Sequence, residues 1–236
     1  AVSQRRGAAV KAAAAQAIEA LARRLSDVDG DAAQYRVVTS MRVPAAIPAS
    51  HARAKSEWDV VLLQRAPARK PDAPWDIRLL IEVKASVDAA TTDLPRLLRG
   101  LHLLAQADGD IDYVFHTRQA TVALRGASLR ALPTANLGAT GPVLYCCDAP
   151  AEPLPRLLNA ASRMQLLSAE ASLAFAGAVA QETQAEPHGL ARVWHALLAS
   201  PQWGGVLNQY PALRQVRELM VHVEDLVAVV EGTRGT

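Results

Sequence analysis

The stretch IRLLIEVKAS, residues 77–86, is an apolar run that carries a glutamate and a lysine near its end, and a second apolar run, SEWDVVLL at residues 56–63, precedes it. Side chains of a β-strand alternate between its two faces, so Glu82 and Lys84 lie on one face. Pairing of the two strands can bring Asp59 of the earlier run beside Glu82. Lys84 then lies about 7 Å from Glu82 along its strand.

Two carboxylates that face each other across paired strands repel unless a positive charge lies between them. A hard divalent cation such as Mg²⁺ supplies that charge with one or two carboxylate ligands and keeps several waters. The other interpretation is an ion pair between Glu82 and Lys84 on the solvated face of an edge strand. Leu80 lies on the same face and favours a cleft, because an apolar leucine is unfavourable on a freely solvated face.

The pattern around these two runs predicts an α/β fold. An apolar stripe predicts a first helix, and the leucines that follow Asp93, a candidate N-cap, predict a second helix. Three prolines between the two runs predict a hairpin with a long loop. The predicted order is helix (7–25), three strands (34–43, 56–63, 77–86), helix (from 93), strand DYVFH (112–116), an unassigned segment, and strand PVLYCC (142–147).

A proline-rich segment, residues 148–155, predicts a domain boundary. It divides the chain into an α/β core, residues 1–150, and an all-helical C-terminal extension, residues 151–236. The extension carries leucine and valine stripes that could support the core, form a homodimer or contact a protein partner.

The acids and the lysine resemble the motif of the PD-(D/E)xK nuclease superfamily, which includes many restriction endonucleases, Holliday-junction resolvases and repair exonucleases. Asp59 matches the first acid of that motif, and Glu82-Val83-Lys84 matches its ExK element. The predicted order of helix, three strands, helix and strand, with a mixed central sheet, resembles the restriction-endonuclease-like core over roughly residues 1–147. Trp58 stands where the family name has proline.

This resemblance implies that Asp59, Glu82 and the backbone carbonyl of Val83 bind a metal ion. It also implies that Lys84 places or activates the attacking water and offsets charge in the transition state. The implied cofactor is Mg²⁺, with Mn²⁺ as a substitute.

Many members of the superfamily carry a further acid on the first helix, for which Glu19 is the candidate. Arg23, four residues later, makes a surface ion pair the competing interpretation for Glu19. Glu57, one step from Asp59 on the same strand face, is another candidate ligand. Arg96 and Arg99 lie off the leucine stripe of the second helix and could contact a phosphate backbone, and a solvated helix face is the equal alternative.

Composition sets wider bounds. The chain has 236 residues, half of them hydrophobic, which allows a sizeable core and excludes disorder as the main state. A net charge of +2 permits a phosphate-bearing partner without requiring one. The two cysteines are adjacent and predict no ordinary disulfide, so a cytoplasmic location is expected. No apolar run is long enough to predict a membrane span.

The resulting expectation is a metal-dependent nuclease that hydrolyses phosphodiester bonds of DNA or another nucleic acid. The alternative is a catalytically inactive module of the same fold that binds nucleic acid or protein, because a fold does not fix an activity.

Overall fold

A computed structural model gives the fold and describes residues 2–67, 73–135, 137, 141–149, 158, 160–181, 183–207 and 209–232. In these residues the chain is α/β, with a seven-stranded mixed sheet. The strands are β1 (Gln34–Arg42), β2 (Glu57–Arg65), β3 (Asp76–Val83), β4 (Asp112–His116), β5 (Thr121–Arg125), β6 (Val143–Cys147) and β7 (Met220–His222). The helices are α1 (Val2–Asp29), α2 (Val87–Leu104), α3 (Gly126–Arg130), α4 (Ala160–Leu167), α5 (Glu170–Ala180), α6 (Ala191–Ala199), α7 (Gly204–Leu207), α8 (Gln209–Leu219) and α9 (Val223–Glu231).

The strand order in the sheet is β5-β4-β1-β2-β3-β6-β7. Strands β1, β2 and β3 are joined antiparallel, whereas β3, β6 and β7 run parallel. A parallel pair needs a long crossover connection, and α2 lies within the connection from β3 to β6. Strand β3 lies between β2 and β6 in this order and is therefore an interior strand of the sheet.

Helix α1 covers one face of the central strands. Val10, Ala14 and Ile18, spaced at four-residue intervals, are buried against Val60 of β2 and Ile81 of β3. These side chains share one stripe of the helix because positions four apart lie above one another. Their burial fixes α1 on the sheet.

The opposite face of β3 carries Glu82, which alternates with Ile81. Helix α2 lies on this side and begins after Ser86, whose side chain accepts a hydrogen bond from the Ala89 amide. The prediction that Asp93 caps this helix is wrong, since Asp93 lies in its second turn. The serine cap satisfies one free amide of the first turn and leaves the Asp93 carboxylate available for other contacts.

Two strands, β5 and β7, were not predicted from the sequence. Strand β5 fills part of the segment left unassigned and pairs antiparallel with β4. Strand β7, only three residues long, lies between two helices and pairs parallel with β6. The prediction that residues 151–236 are all helical is therefore wrong at Met220–His222. A strand of this length has too few residues to display an alternating pattern.

The chain divides into two compact units. The first comprises Ala1–Pro150 and the C-terminal part from Val216, and the second comprises Ala151–Gln215. One division of the chain falls after Pro150, and the chain from Val216 belongs to the first unit and not to a separate extension. Of the predicted boundary segment, residues 150–155 lie outside the described residues.

The second unit has a small core of its own, in which Leu197, Trp203 and Val206 are buried together. Helices α4, α5 and α6 supply most of its described residues. Among the described parts of both units, no helix combines the length and the apolar character needed to cross a membrane.

Candidate functional site

Asp59 and Glu82 lie on neighbouring central strands. The antiparallel register pairs Val60 with Ile81, so the adjacent pair is Asp59 with Glu82. The Val83 amide donates a hydrogen bond to Asp59 Oδ2 over 3.0 Å, which ties the Asp59 carboxylate to β3. The register thus brings the two acids together.

Glu82 is buried in the sheet, with only 2% of its surface exposed. Its Oε1 atom contacts two ammonium groups, Lys55 Nζ at 2.6 Å and Lys84 Nζ at 2.7 Å. Its Oε2 atom is buried and has no hydrogen-bond partner among the described residues. The interpretation of Glu82 and Lys84 as a solvated edge-strand pair is wrong, because β3 is an interior strand and Glu82 is buried.

Lys84 lies between two acids. Besides its contact with Glu82, its Nζ lies 3.3 Å from Asp93 Oδ2 on α2. The Tyr145 hydroxyl of β6 donates to the same oxygen over 3.4 Å. Burial lowers the pKa of Lys84, but the charges of Glu82 and Asp93 outweigh this effect and raise it. Lys84 is therefore a fixed positive charge.

Asp59 has a third lysine as its partner. Lys11 of α1 donates to Asp59 Oδ1 over 2.8 Å and to Ser40 Oγ over 2.9 Å. Glu57 Oε1 lies 3.8 Å from the same ammonium, and Arg42 lies 3.6 Å from Glu57. The Lys11 side chain is 25% exposed, so this side of the carboxylate pair is open to solvent.

The two carboxylates differ in acidity. Burial raises the pKa of Glu82, the charge of Asp59 raises it further, and Lys55 and Lys84 offset only part of this. Burial also acts to raise the pKa of Asp59, but hydrogen bonds from Lys11 and from a backbone amide outweigh it and lower that pKa. Paired acids whose pKa values are pushed apart are common at catalytic sites.

Three of the four lysines in the sequence converge on these two carboxylates, and the fourth, Lys70, lies outside the described residues. Sequence reasoning found Lys84 but missed Lys11 and Lys55, because neither has an acid two positions earlier. A compositional signal was present, since only four of the 25 basic residues are lysines. Because the other basic residues are arginines, each lysine is a candidate for a position that needs a compact ammonium group and not a guanidinium.

Lys55 is the most buried of the three, with 3% of its surface exposed. Its Nζ lies 5.6 Å from the ring centroid of Trp58. Its Cβ lies so close to Gly100 of α2 that a side chain at that position would meet it. Lys55 therefore supports Glu82 from inside the protein and is closed to solvent.

The remaining predicted residues lie farther out. Glu19 is exposed and lies eight residues from Lys11, about 12 Å along the helix, so the structure does not bring it to Asp59. Arg96 lies 4.0 Å from Asp93, at the limit of an ion pair. Arg99 donates from Nε to the Arg53 carbonyl over 2.9 Å.

The described residues contain no group of three or more His, Cys, Asp or Glu side chains placed to hold a metal ion. Mg²⁺ nevertheless needs only one or two carboxylates when waters fill its other positions. Glu82 Oε2 is buried without a partner, and a buried oxygen of this kind normally has a hydrogen-bond donor or a cation beside it. Asp59 and Glu82 have the chemistry of the one or two carboxylate ligands that a hydrated Mg²⁺ takes.

Comparison of the chain with protein-family models, with curated proteins and with solved structures finds no match.

Proposed function

We propose that this chain is a metal-dependent nuclease with a restriction-endonuclease-like core of the PD-(D/E)xK type, which hydrolyses phosphodiester bonds of nucleic acid, with DNA the preferred substrate. The element order supports the fold part of this proposal. Helix α1, strands β1 to β3, helix α2 and strand β6 follow the order of that core, with the β4–β5 hairpin inserted.

The observation that carries the function is the unpartnered Oε2 of Glu82, buried beside a second carboxylate on an interior strand. A buried anionic oxygen without a donor costs free energy, on the order of 1–3 kcal/mol or more. A ligand that supplies positive charge would remove this cost. Asp59 and Glu82 are the side chains that would hold Mg²⁺, with the Val83 carbonyl as a third ligand by resemblance.

When bound, Mg²⁺ would polarise the phosphate and lower the pKa of a water. In hydrolysis a water oxygen forms a bond to phosphorus, the bond from phosphorus to one ester oxygen breaks, and that oxygen takes up a proton as the water loses one. Lys84, held by Glu82 and Asp93, contributes a fixed positive charge as negative charge develops on the phosphate. The products are a phosphomonoester and an alcohol.

The test is the substitution Asp59→Asn. Asparagine keeps an acceptor for the Val83 amide but removes the charge that a cation requires, so Mg²⁺-dependent cleavage of plasmid or labelled oligonucleotide should fall about 100-fold or more. Thermal unfolding should stay close to that of the parent protein.

Asp76→Asn is the matched control. Asp76 begins β3, the strand next to that of Asp59, and its carboxylate lies 3.3 Å from Arg125, away from the candidate site. This variant should cleave like the parent. If Asp59→Asn cleaves as fast as the parent, the metal assignment fails.

A second function is favoured by one observation. Lys11 lies 2.8 Å from Asp59, so the carboxylate pair already has cations around it. A site neutralised in this way suits an inactive module of the same fold that binds nucleic acid or protein through the lysines. Titration of Mg²⁺ and Mn²⁺ against cleavage separates the two functions, because the module binds substrate without cutting it in either metal.

A further inference from the structure

The Lys11 ammonium lies among oxygen atoms of three side chains. Asp59 Oδ1 is 2.8 Å away, Ser40 Oγ is 2.9 Å away and Glu57 Oε1 is 3.8 Å away. Oxygens of this kind are the ligands that hard divalent cations take. A lysine thus fills a position with the donor set of a cation site, next to the carboxylate pair.

The surrounding backbone holds this ammonium in place. Val10 and Ala14, its neighbours on α1, are buried against the sheet. Ser40 adopts a left-handed backbone conformation with φ of 52°, rare for a residue that is not glycine, and the pairing of β1 with β2 skips it. Such conformations persist where the surrounding structure enforces them and cluster at functional sites. The hydroxyl of Ser40 is thereby directed at Lys11.

Lys11 also has the access and the donors that a substrate contact needs. An ammonium has three N–H donors, and among the described residues two of them bond to Asp59 and Ser40, since 3.8 Å is too long for a hydrogen bond to Glu57. Lys55, in contrast, is closed to solvent. Lys11 and Lys84 therefore present positive charge at two places around the carboxylate pair.

Nucleases with two metal ions bind them about 3.5–4 Å apart, one near each of the attacking and leaving oxygens. Here a second divalent cation on the Asp59 side would meet the Lys11 ammonium 2.8 Å from Asp59 Oδ1. A divalent ion and an ammonium on one oxygen repel about twice as strongly as the two ammonium groups that share Glu82 Oε1, because the divalent ion carries twice the charge. The Lys11 charge also stays with the protein, because it is carried by α1 and cannot dissociate.

We propose that Lys11 is a catalytic residue whose ammonium takes the place of a second metal ion, binding an oxygen of the scissile phosphate, so that the site takes up one divalent cation and not two. This inference rests on the proposed nuclease function. It assigns the substrate phosphate two protein cations, Lys11 on the side of Asp59 and Lys84 on the side of Glu82.

The test counts bound metal in the absence of substrate. Titration of the whole chain with Mn²⁺, followed by calorimetry and by the electron paramagnetic resonance signal of free Mn²⁺, should give one site per chain for which Mg²⁺ competes. Lys11→Met empties the position among Asp59, Ser40 and Glu57, so a second Mn²⁺ should bind there. Lys11→Arg keeps the charge and should bind one.

Cleavage gives the second measurement. Lys11→Met should lower the turnover in Mg²⁺ about 100-fold, and the remaining rate should rise with the square of the Mg²⁺ concentration where the parent rate rises in proportion to it. Arg23→Met removes an exposed cation from the same helix and should match the parent in both measurements.

Two Mn²⁺ ions in the parent overturn the inference, and that result needs no variant to fold. Unchanged turnover in Lys11→Met also overturns it. A parent that cleaves with two metal ions leaves the nuclease function standing and removes only the role of Lys11. A parent that neither binds Mn²⁺ nor cleaves removes both.

Discussion

One oxygen of Glu82 contacts two ammonium groups, so a substitution of Glu82 changes the stability of the protein as well as the candidate site. Glu82→Gln removes the charge that Lys55 and Lys84 share, and Lys55 has no access to water. An uncompensated buried charge costs about 3–5 kcal/mol, so we expect Glu82→Gln to lower the free energy of unfolding by about that amount. Asp59→Asn should cost much less, since Lys11 is partly exposed.

Urea unfolding of the two variants measures this difference. Adding Lys55→Met to Glu82→Gln should restore part of the lost stability, because the double variant has no unpaired ammonium at position 55. Equal stability losses in Glu82→Gln and Asp59→Asn would contradict the buried pairing. Because Glu82→Gln should also lose stability, Asp59→Asn is the cleaner test of cleavage.

A second prediction at the residue scale concerns alkaline pH. Burial raises the pKa of the Cys146 thiol from 9.0 to about 12. Between these values the unfolded chain releases a proton that the folded chain keeps, so stability falls as the pH rises above 9. The raised pKa of Lys84 acts in the same direction at higher pH, because its charge is lost more easily from the unfolded chain.

The urea midpoint should therefore be level from pH 7 to 8.5 and fall above pH 9. Cys146→Ala should flatten the fall between pH 9 and 10.5, whatever its effect on stability at pH 7. The same slope in the variant and the parent would assign the fall to other groups.

The sequence could identify the site residues that lie on or next to two neighbouring strands, because the alternation of a strand relates their positions. Alternation relates Asp59, Glu82 and Lys84 because Asp59 and Glu82 lie on adjacent strands and Lys84 directly follows the end of β3. Lys11 and Lys55 reach the same carboxylates from a helix and a loop, and their placement depends on how α1 and α2 pack on the sheet. No local pattern encodes that packing.

At the scale of elements, the long periodic segments were predictable, and so were the five-residue strands β4 and β6, whereas β5 and β7 were not predicted. Helix α1 and strands β1 to β3 each have enough residues to display a pattern, and each was predicted. The helix start at Asp93 was wrong because Asp93 and Ser86 are both good capping residues, and the chain uses the earlier one. The choice moves Asp93 from a capping role to a contact with Lys84.

The approach of α2 to Lys55 gives a prediction at this scale. A Cβ atom at Gly100 would lie 2.6 Å from Lys55 Cβ and 3.2 Å from the Lys55 amide nitrogen. The backbone atom cannot move aside easily, so Gly100→Ala should lower the free energy of unfolding by about 1–3 kcal/mol. Cleavage should fall as well, because Lys55 would shift against Glu82.

Gly7→Ala is the matched control in the same unit, since no heavy atom outside the adjoining residues and backbone of α1 lies within 4 Å of a Cβ added at that position. It should leave stability unchanged or raise it by up to about 1 kcal/mol. The proposed close approach would be refuted by a Gly100→Ala variant as stable as Gly7→Ala.

At the scale of the whole molecule, the chain from Val216 completes the first unit. Val223 of α9 is buried with Val10, Ala14 and Ile18 of α1, and Leu226 packs against the same cluster. Strand β7 pairs with β6, so it covers what would otherwise be an exposed strand edge. The predicted core of residues 1–150 therefore lacks part of its own sheet and of its own hydrophobic core.

The last prediction follows from this incompleteness. A chain of residues 1–150 alone should aggregate or unfold at a much lower urea concentration than the whole protein. Loss of α9 uncovers apolar side chains worth about 1.5–3 kcal/mol each, against a total stability of about 5–15 kcal/mol for a typical domain. Joining residues 1–150 to residues 209–236 through a flexible linker of about 15 residues should restore most of the stability, because the returned segment supplies β7 and α9. If residues 1–150 alone were soluble and unfolded cooperatively at the midpoint of the whole protein, the C-terminal segment would be dispensable to the fold, and the site would need only the first 150 residues to hold its carboxylates and lysines.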